Sequence, residues 1–153
     1  METCDIANDL EQYGSLKNGS KVVIDKKKDE GSCWEFVEMA LREKGYQNHE
    51  KGGLGDLYVW GAPVDERLIK TGDILQFYKH EYKLKNGTRS KRGPLHTAIV
   101  SSYNDDRSIV RVWEQHVTKP SRVVRNKVYL KATGDCEEVI GEVKAFRPVK
   151  RLR

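Results

Sequence analysis

A cysteine at the predicted start of the principal helix is the first residue that could do chemistry. Cys33 lies in "GSCWEFVEMALREKG", in which Ser32 can cap a helix, apolar residues recur at helical spacing and Gly45 can end it. Unpaired N–H groups at a helix start stabilise a thiolate and lower the thiol pKa below its free value of about 8.5, and the same donors could hold an oxyanion. Asp29 and Glu30 would oppose this effect if they point inward. The pattern predicts a nucleophile at Cys33.

A nucleophilic cysteine needs a base, and the base needs an orienting group. His96 opens the predicted strand "HTAIV", and a second predicted strand, "VRVWEQH", carries Glu114 and His116 on the same face as Val110. If that face meets the helix, Glu114 lies beside the cysteine–histidine pair. Cys33 would then attack, His96 would transfer the proton and Glu114 would orient the imidazole.

Each of these residues also has a structural interpretation. Cys33 could be a small core residue on an apolar helix face, Glu114 a solvated strand residue, and Trp34 and Trp60 core aromatics. The combination favours chemistry over any member alone. We expect loss of His96 or Glu114 to leave the fold largely intact, because catalytic groups at a cleft contribute little packing.

Five motifs follow one another in the chain: "GSCWEFVEMAL", "LYVWG", "GDILQFY", "HTAIV" and "VWEQHV". Their order resembles that of the CHAP domains, cysteine- and histidine-dependent amidohydrolases/peptidases of the papain-like superfamily that includes the NlpC-type endopeptidases. The resemblance covers residues 31–117. It implies a papain-like fold and cleavage of an amide in a peptide or amino-sugar–peptide substrate, such as peptidoglycan, through a thioester.

By position, the resemblance implies Cys33 as nucleophile, His96 as general base and Glu114 as the third polar residue. The remaining candidates are auxiliary residues: Trp34, Trp60, Gln115 and His116. His116 stands where the family usually has asparagine, and histidine titrates near neutrality and adds charge. A basic segment before His96 and the absence of an export signal are two further departures, and the second weakens a cell-wall substrate more than it weakens the chemistry.

The pattern of elements predicts an α+β fold, with N-terminal helices packed on an antiparallel sheet of about five to six strands. Ile6 to Tyr13 could form a short helix, and Ser20 to Asp25 a brief strand or an extended lead-in. Later strands are expected at "GDILQFY", "LHTAIVSSY", "SIVRVWEQHV", "RVVRNKVYL" and "EVKAFRPV", with a hairpin turn at "NDDR". We predict a single domain, residues 1–153, divided into an N-terminal helix and lead-in (1–30), a catalytic core (31–117) and C-terminal strands (118–153).

Composition narrows the class of protein. The 153 residues are 37% hydrophobic with a formal net charge of +5, which suits one modest core. The three cysteines have neither disulfide nor zinc spacing, and no phosphate-binding glycine loop is present, so we expect no metal and no cofactor. No signal peptide or membrane-spanning run is apparent. These features predict a cytoplasmic monomer, unless a signal has been removed, without membrane or nucleic-acid partners.

A second hypothesis comes from the basic segment, residues 79–92. On the same fold, a catalytically silent binding module could contact an anionic partner through this segment, and such binding would weaken as salt rises. The segment is expected to form a long excursion or a mobile hairpin.

Overall fold

A computed structural model describes residues 2–24, 31–48, 50–51, 58–115 and 120–151. It contains two α-helices, eight β-strands and one short 3-10 helix in that part of the chain. The elements, in chain order, are α1 Glu2–Lys17, α2 Cys33–Lys44, β1 Glu50–Lys51, β2 Tyr58–Val59, β3 Ala62–Val64, the 3-10 helix Glu66–Leu68, β4 Ile74–Leu84, β5 Arg89–Tyr103, β6 Ile109–Glu114, β7 Val124–Tyr129 and β8 Cys136–Arg147.

Six of the strands form one antiparallel sheet in the order β3-β8-β4-β5-β6-β7, while β1 and β2 pair separately. Two helices with a six-stranded antiparallel sheet confirm the predicted α+β class. Neither helix is long and apolar enough to cross a membrane, as far as the described residues go.

Helix α2 begins and ends where its sequence predicts. Ser32 occupies the N-cap position in an extended conformation, and Gly45 ends the helix with a φ of 80°, a left-handed conformation that glycine adopts without strain. Helix α1 extends beyond the predicted range of Ile6 to Tyr13. The lead-in that follows α1 contains no strand over residues 20–24.

The basic segment forms a β-hairpin. Strands β4 and β5 continue through it and turn at residues 85–88. A β-bulge at Lys79, whose φ is 50°, shifts the register of β4 against both of its neighbours. The bulge therefore shifts the alternation of side chains by one residue. Before it, the odd-numbered Leu75 and Phe77 lie on one face of the sheet; after it, the even-numbered His80 and Tyr82 lie on that face.

Two hydrophobic clusters lie on opposite faces of the sheet. The helix-side cluster joins residues of α1 and α2, such as Leu10 and Phe36, to Ile74 and Trp113 of the sheet. The second cluster is built mainly from the alternate strand positions, including Leu75 and its counterparts on the other long strands. The sheet is thus buried on both faces, and its central strands can carry deeply placed polar groups.

Val110 and Val112 belong to the second cluster, whereas Trp113 joins the helix-side cluster. The condition that the Val110 face meets the helix is therefore wrong. Glu114 nevertheless reaches His96, because the two side chains lie on neighbouring strands and on the same face of the sheet, the face of the second cluster.

Candidate active site

Buried side chains hold the start of α2 in place. The Glu35 carboxylate accepts hydrogen bonds from the backbone N–H of Ser32 and of Ile24, both at 2.8 Å. Gln115 accepts from the Val22 N–H at 2.6 Å and donates to the carbonyls of Val22 and Ser32, both at 2.8 Å. Gln115 therefore ties the lead-in to the residue that precedes Cys33, which is a positioning task.

Cys33 is partly exposed as a residue, and its thiol contacts the His96 ring. The backbone N–H groups of Trp34, which follows Cys33 in the helix, and of Thr97, which follows His96 in β5, lie near the sulfur and lower its pKa. The start of a helix and the middle of a long strand thus meet at the sulfur, since His96 lies within β5 and does not open a strand as predicted. This is the arrangement that an activated thiol requires.

Behind the histidine lies a fully buried carboxylate. His96 Nε2 and Glu114 Oε1 are 2.8 Å apart, which leaves Nδ1 as the ring nitrogen free to face the thiol. Glu114 is 0% exposed and His96 is 6% exposed. The structure brings Cys33, His96 and Glu114 together in the order that their predicted roles require.

The pKa shifts follow from these contacts. Burial raises the pKa of the Cys33 thiol, but the hydrogen bond and charge of His96 and the two backbone N–H groups outweigh it, so this pKa lies below its ordinary value. Burial lowers the pKa of His96, but Cys33 and Glu114 raise it to about 9. Both shifts favour a thiolate paired with an imidazolium.

The pKa of Glu114 is also lowered. Burial raises it, and the hydrogen bond of His96, the charge of Arg92 and the amide of Asn126 reverse that effect. Glu114 therefore stays ionised beside the imidazole and can stabilise its positive charge.

Two members of this network, Arg92 and Asn126, were not among the predicted site residues. Arg92 is 5% exposed and donates to both oxygens of Glu114 at 3.0 Å, and Asn126 Nδ2 donates to Oε2 at 2.8 Å. The interpretation of residues 79–92 as a contact surface is wrong for Arg92, because the long hairpin turns this side chain inward. Asn126 carries no local signal: only the pairing of β6 with β7 brings it near Glu114.

The auxiliary candidates lie in different places. Trp60 is 0% exposed, and its Nε1 donates to Gln76 Oε1 at 2.8 Å, which also accepts from the Thr97 hydroxyl at 2.9 Å. Trp60 therefore braces the strand beside His96. Trp34 packs partly buried against the helix-side cluster and supplies its backbone N–H to the sulfur. His116 lies outside the described residues.

Within the described ranges, no group of three or more His, Cys, Asp or Glu residues is arranged to hold a metal ion. The polar groups at Cys33 instead pair with one another. The arrangement can supply a nucleophile, a proton carrier and a fixed carboxylate.

Comparison with known families bears on the fold. A family model described as the AIM3/BBC1 cysteine proteinase-fold domain matches residues 10–152. No curated protein and no solved structure matches the chain. The family match supports the predicted resemblance at the level of the papain-like fold and leaves the narrower CHAP or NlpC assignment as a proposal. Since the match spans nearly the whole sequence, the chain belongs to the AIM3/BBC1 cysteine proteinase-fold domain family.

Proposed function

We propose that this chain is a thiol amidohydrolase or peptidase, as its resemblance to CHAP domains implies. The observation that carries the proposal is the contact of the Cys33 thiol, on a partly exposed residue, with an imidazole that is itself bonded to a buried carboxylate. A core cysteine would need neither partner. The substrate class is a peptide amide or an amino-sugar–peptide amide.

The chemistry proceeds in two steps. The Cys33 thiolate attacks the amide carbonyl carbon, and the oxyanion forms next to the N–H groups at the start of α2. The His96 imidazolium gives its proton to the leaving amine, so the C–N bond breaks and a thioester remains. Neutral His96 then takes a proton from water as the water attacks the thioester, so the C–S bond breaks, the acid is released and the thiolate–imidazolium pair is restored.

The test is the pH dependence of Cys33 alkylation by iodoacetamide, followed by peptide mass spectrometry so that Cys136 and Cys4 are counted separately. The expected profile begins to rise below the ordinary thiol range, because His96 supports the thiolate. In His96→Ala the rise should return towards the ordinary thiol range. Cys136, which is 3% exposed, is the internal reference for slow modification.

Turnover of N-acyl peptide p-nitroanilides is measured on the same protein preparations before alkylation, and Cys33→Ser is the inactive control. An ordinary thiol profile that His96→Ala leaves unchanged would remove the case for an activated nucleophile.

The binding-module alternative has less support. Three cations of the hairpin have acidic partners: Arg89 pairs with Glu81 at 2.7 Å, Lys91 approaches the same carboxylate at 3.6 Å, and Lys83 pairs with Glu137 of β8 at 2.9 Å. These pairs reduce the positive charge that the segment can offer to an anionic partner. Salt-dependent binding to an anionic polymer such as heparin, together with a silent Cys33, would favour the alternative.

A further inference from the structure

Arg92 is the most deeply placed cation of the basic hairpin. Its Nε donates to Glu114 Oε1 and its Nη2 to Oε2, both at 3.0 Å, so the planar guanidinium grips both carboxylate oxygens. Its Nη1 donates to the Ser90 hydroxyl at 2.6 Å. Removing a guanidinium from water is costly, so the burial of Arg92 needs a specific explanation.

The carboxylate is saturated by these contacts. Oε1 accepts from Arg92 and is paired with His96 Nε2, while Oε2 accepts from Arg92 and Asn126. With two partners on each oxygen, the Glu114 carboxylate is held against rotation. The oxygen that faces His96 is therefore fixed by the other three bonds.

The charges around His96 point the same way. A thiolate at Cys33, an imidazolium at His96 and a carboxylate at Glu114 sum to one negative charge, and Arg92 brings the sum to zero. Another titratable group near this cluster is His80 of β4, whose pKa burial and the charges of Arg92 and His96 lower to about 4, so it is neutral near pH 7. Among the described residues that contact Glu114, Arg92 is the one that stays positively charged throughout the relevant pH range.

We propose that Arg92 is a positioning residue for the reaction: it fixes the Glu114 carboxylate and supplies the charge that allows thiolate, imidazolium and carboxylate to exist together in a buried site. This inference rests on the proposed function, because it assigns Arg92 to the same nucleophile. It also gives residues 79–92 a task within the site, since the hairpin carries Arg92 to β6 and β7.

The test compares Arg92→Met with Arg92→Lys in the full chain, again by Cys33 alkylation against pH. Loss of one positive charge makes the cluster bind protons more tightly. Arg92→Met should therefore move the midpoint of the alkylation rise upward by about one pH unit or more. Arg92→Lys keeps the charge but loses the two parallel hydrogen bonds of the guanidinium. Its midpoint should therefore stay within about half a pH unit of the wild type, while the alkylation rate falls.

Arg147→Met is the matched control. Arg147 donates to both oxygens of Asp73 at 3.0 Å, a carboxylate that is also buried but shares no contact with Glu114. This variant should lower the melting temperature and leave the alkylation midpoint unchanged. If Arg92→Met does not fold, Arg92→Gln provides the same measurement, because its amide keeps a donor without the charge.

A folded Arg92→Met or Arg92→Gln with the wild-type midpoint would overturn the inference and leave Arg92 with a structural role alone. An ordinary thiol profile in the wild type itself would instead overturn the proposed function. The two failures are therefore distinguishable in one set of measurements.

Discussion

At the scale of single residues, Glu114 connects the chemistry to the fold. It is 0% exposed and bonded to Arg92, His96 and Asn126. The sequence suggests a cleft residue whose loss the fold would tolerate, because cleft residues contribute little packing. Its burial with Arg92 changes that expectation, because truncating one partner of a buried ion pair leaves the other charge unpaired.

Glu114→Ala should therefore lower the free energy of unfolding by about 3–5 kcal/mol. Glu114→Gln keeps the shape and one acceptor oxygen, so its loss should be smaller. Urea denaturation at pH 7 measures both. Losses below about 1 kcal/mol in both variants, the size expected of an exposed pair, would contradict the buried network.

At the scale of elements, the bulge in β4 decides which side chains face which cluster. Gly141 of β8 lies opposite the bulge with a φ of 87°, and a Cβ placed there would lie 2.2 Å from the Lys79 carbonyl oxygen. A side chain at residue 141 must therefore displace the backbone of β4. The bulge depends on this glycine.

Gly141→Ala should lower the free energy of unfolding by about 3 kcal/mol or more, because backbone strain and a steric clash act together. Gly134→Ala is the matched control: its φ is 54°, but nothing lies within 4 Å of a Cβ there. That variant should lose only about 1–2 kcal/mol. Equal losses, measured by thermal or urea unfolding, would show that the contact with Lys79 relaxes freely.

The helices and strands also differ in how far the sequence could predict them and the site residues that they carry. Helix α2 has its cap, its apolar spacing and its terminal glycine in one continuous stretch, so local patterns identify it. Glu114 was found because the end of its strand and the order of the motifs can be read from the sequence. His96 was found from the same motif order, although it lies in the middle of β5 and not at a strand end. Arg92 and Asn126 were missed because their approach to Glu114 depends on the course of a long hairpin and on the β6–β7 pairing, which no local pattern records. The face of Val110 was misjudged because both faces of the sheet are buried.

At the scale of the whole molecule, the site and a second histidine affect the pH dependence of stability differently. Proton transfer from Cys33 to His96 leaves one proton on the pair, which equals the content of the unfolded chain between about pH 6.5 and 8.5. The pair therefore adds little slope to stability in that range. His80 is different because it is 2% exposed and neither ring nitrogen has a hydrogen-bond partner among the described residues.

Burial and the charge of Arg92 lower the pKa of His80 to about 4, and the nearby Tyr129 backbone offsets this only in part. Between pH 6.5 and 4 the unfolded chain binds a proton at His80 that the folded chain does not, so stability falls as the pH drops through this window. This loss of folding free energy reaches about 3 kcal/mol near pH 4 and vanishes above pH 7.

His80→Leu removes this term, so its stability relative to the wild type should be constant above about pH 7 and should improve steadily from pH 6.5 to 4. Urea unfolding at half-unit pH intervals measures the difference. Other acid-sensitive groups, including the Cys33–His96 pair and Asp73, remain in both proteins and cancel in the comparison. A difference that does not change with pH would mean that the folded protein protonates His80 as readily as the unfolded chain does, and that the ring finds a partner when charged.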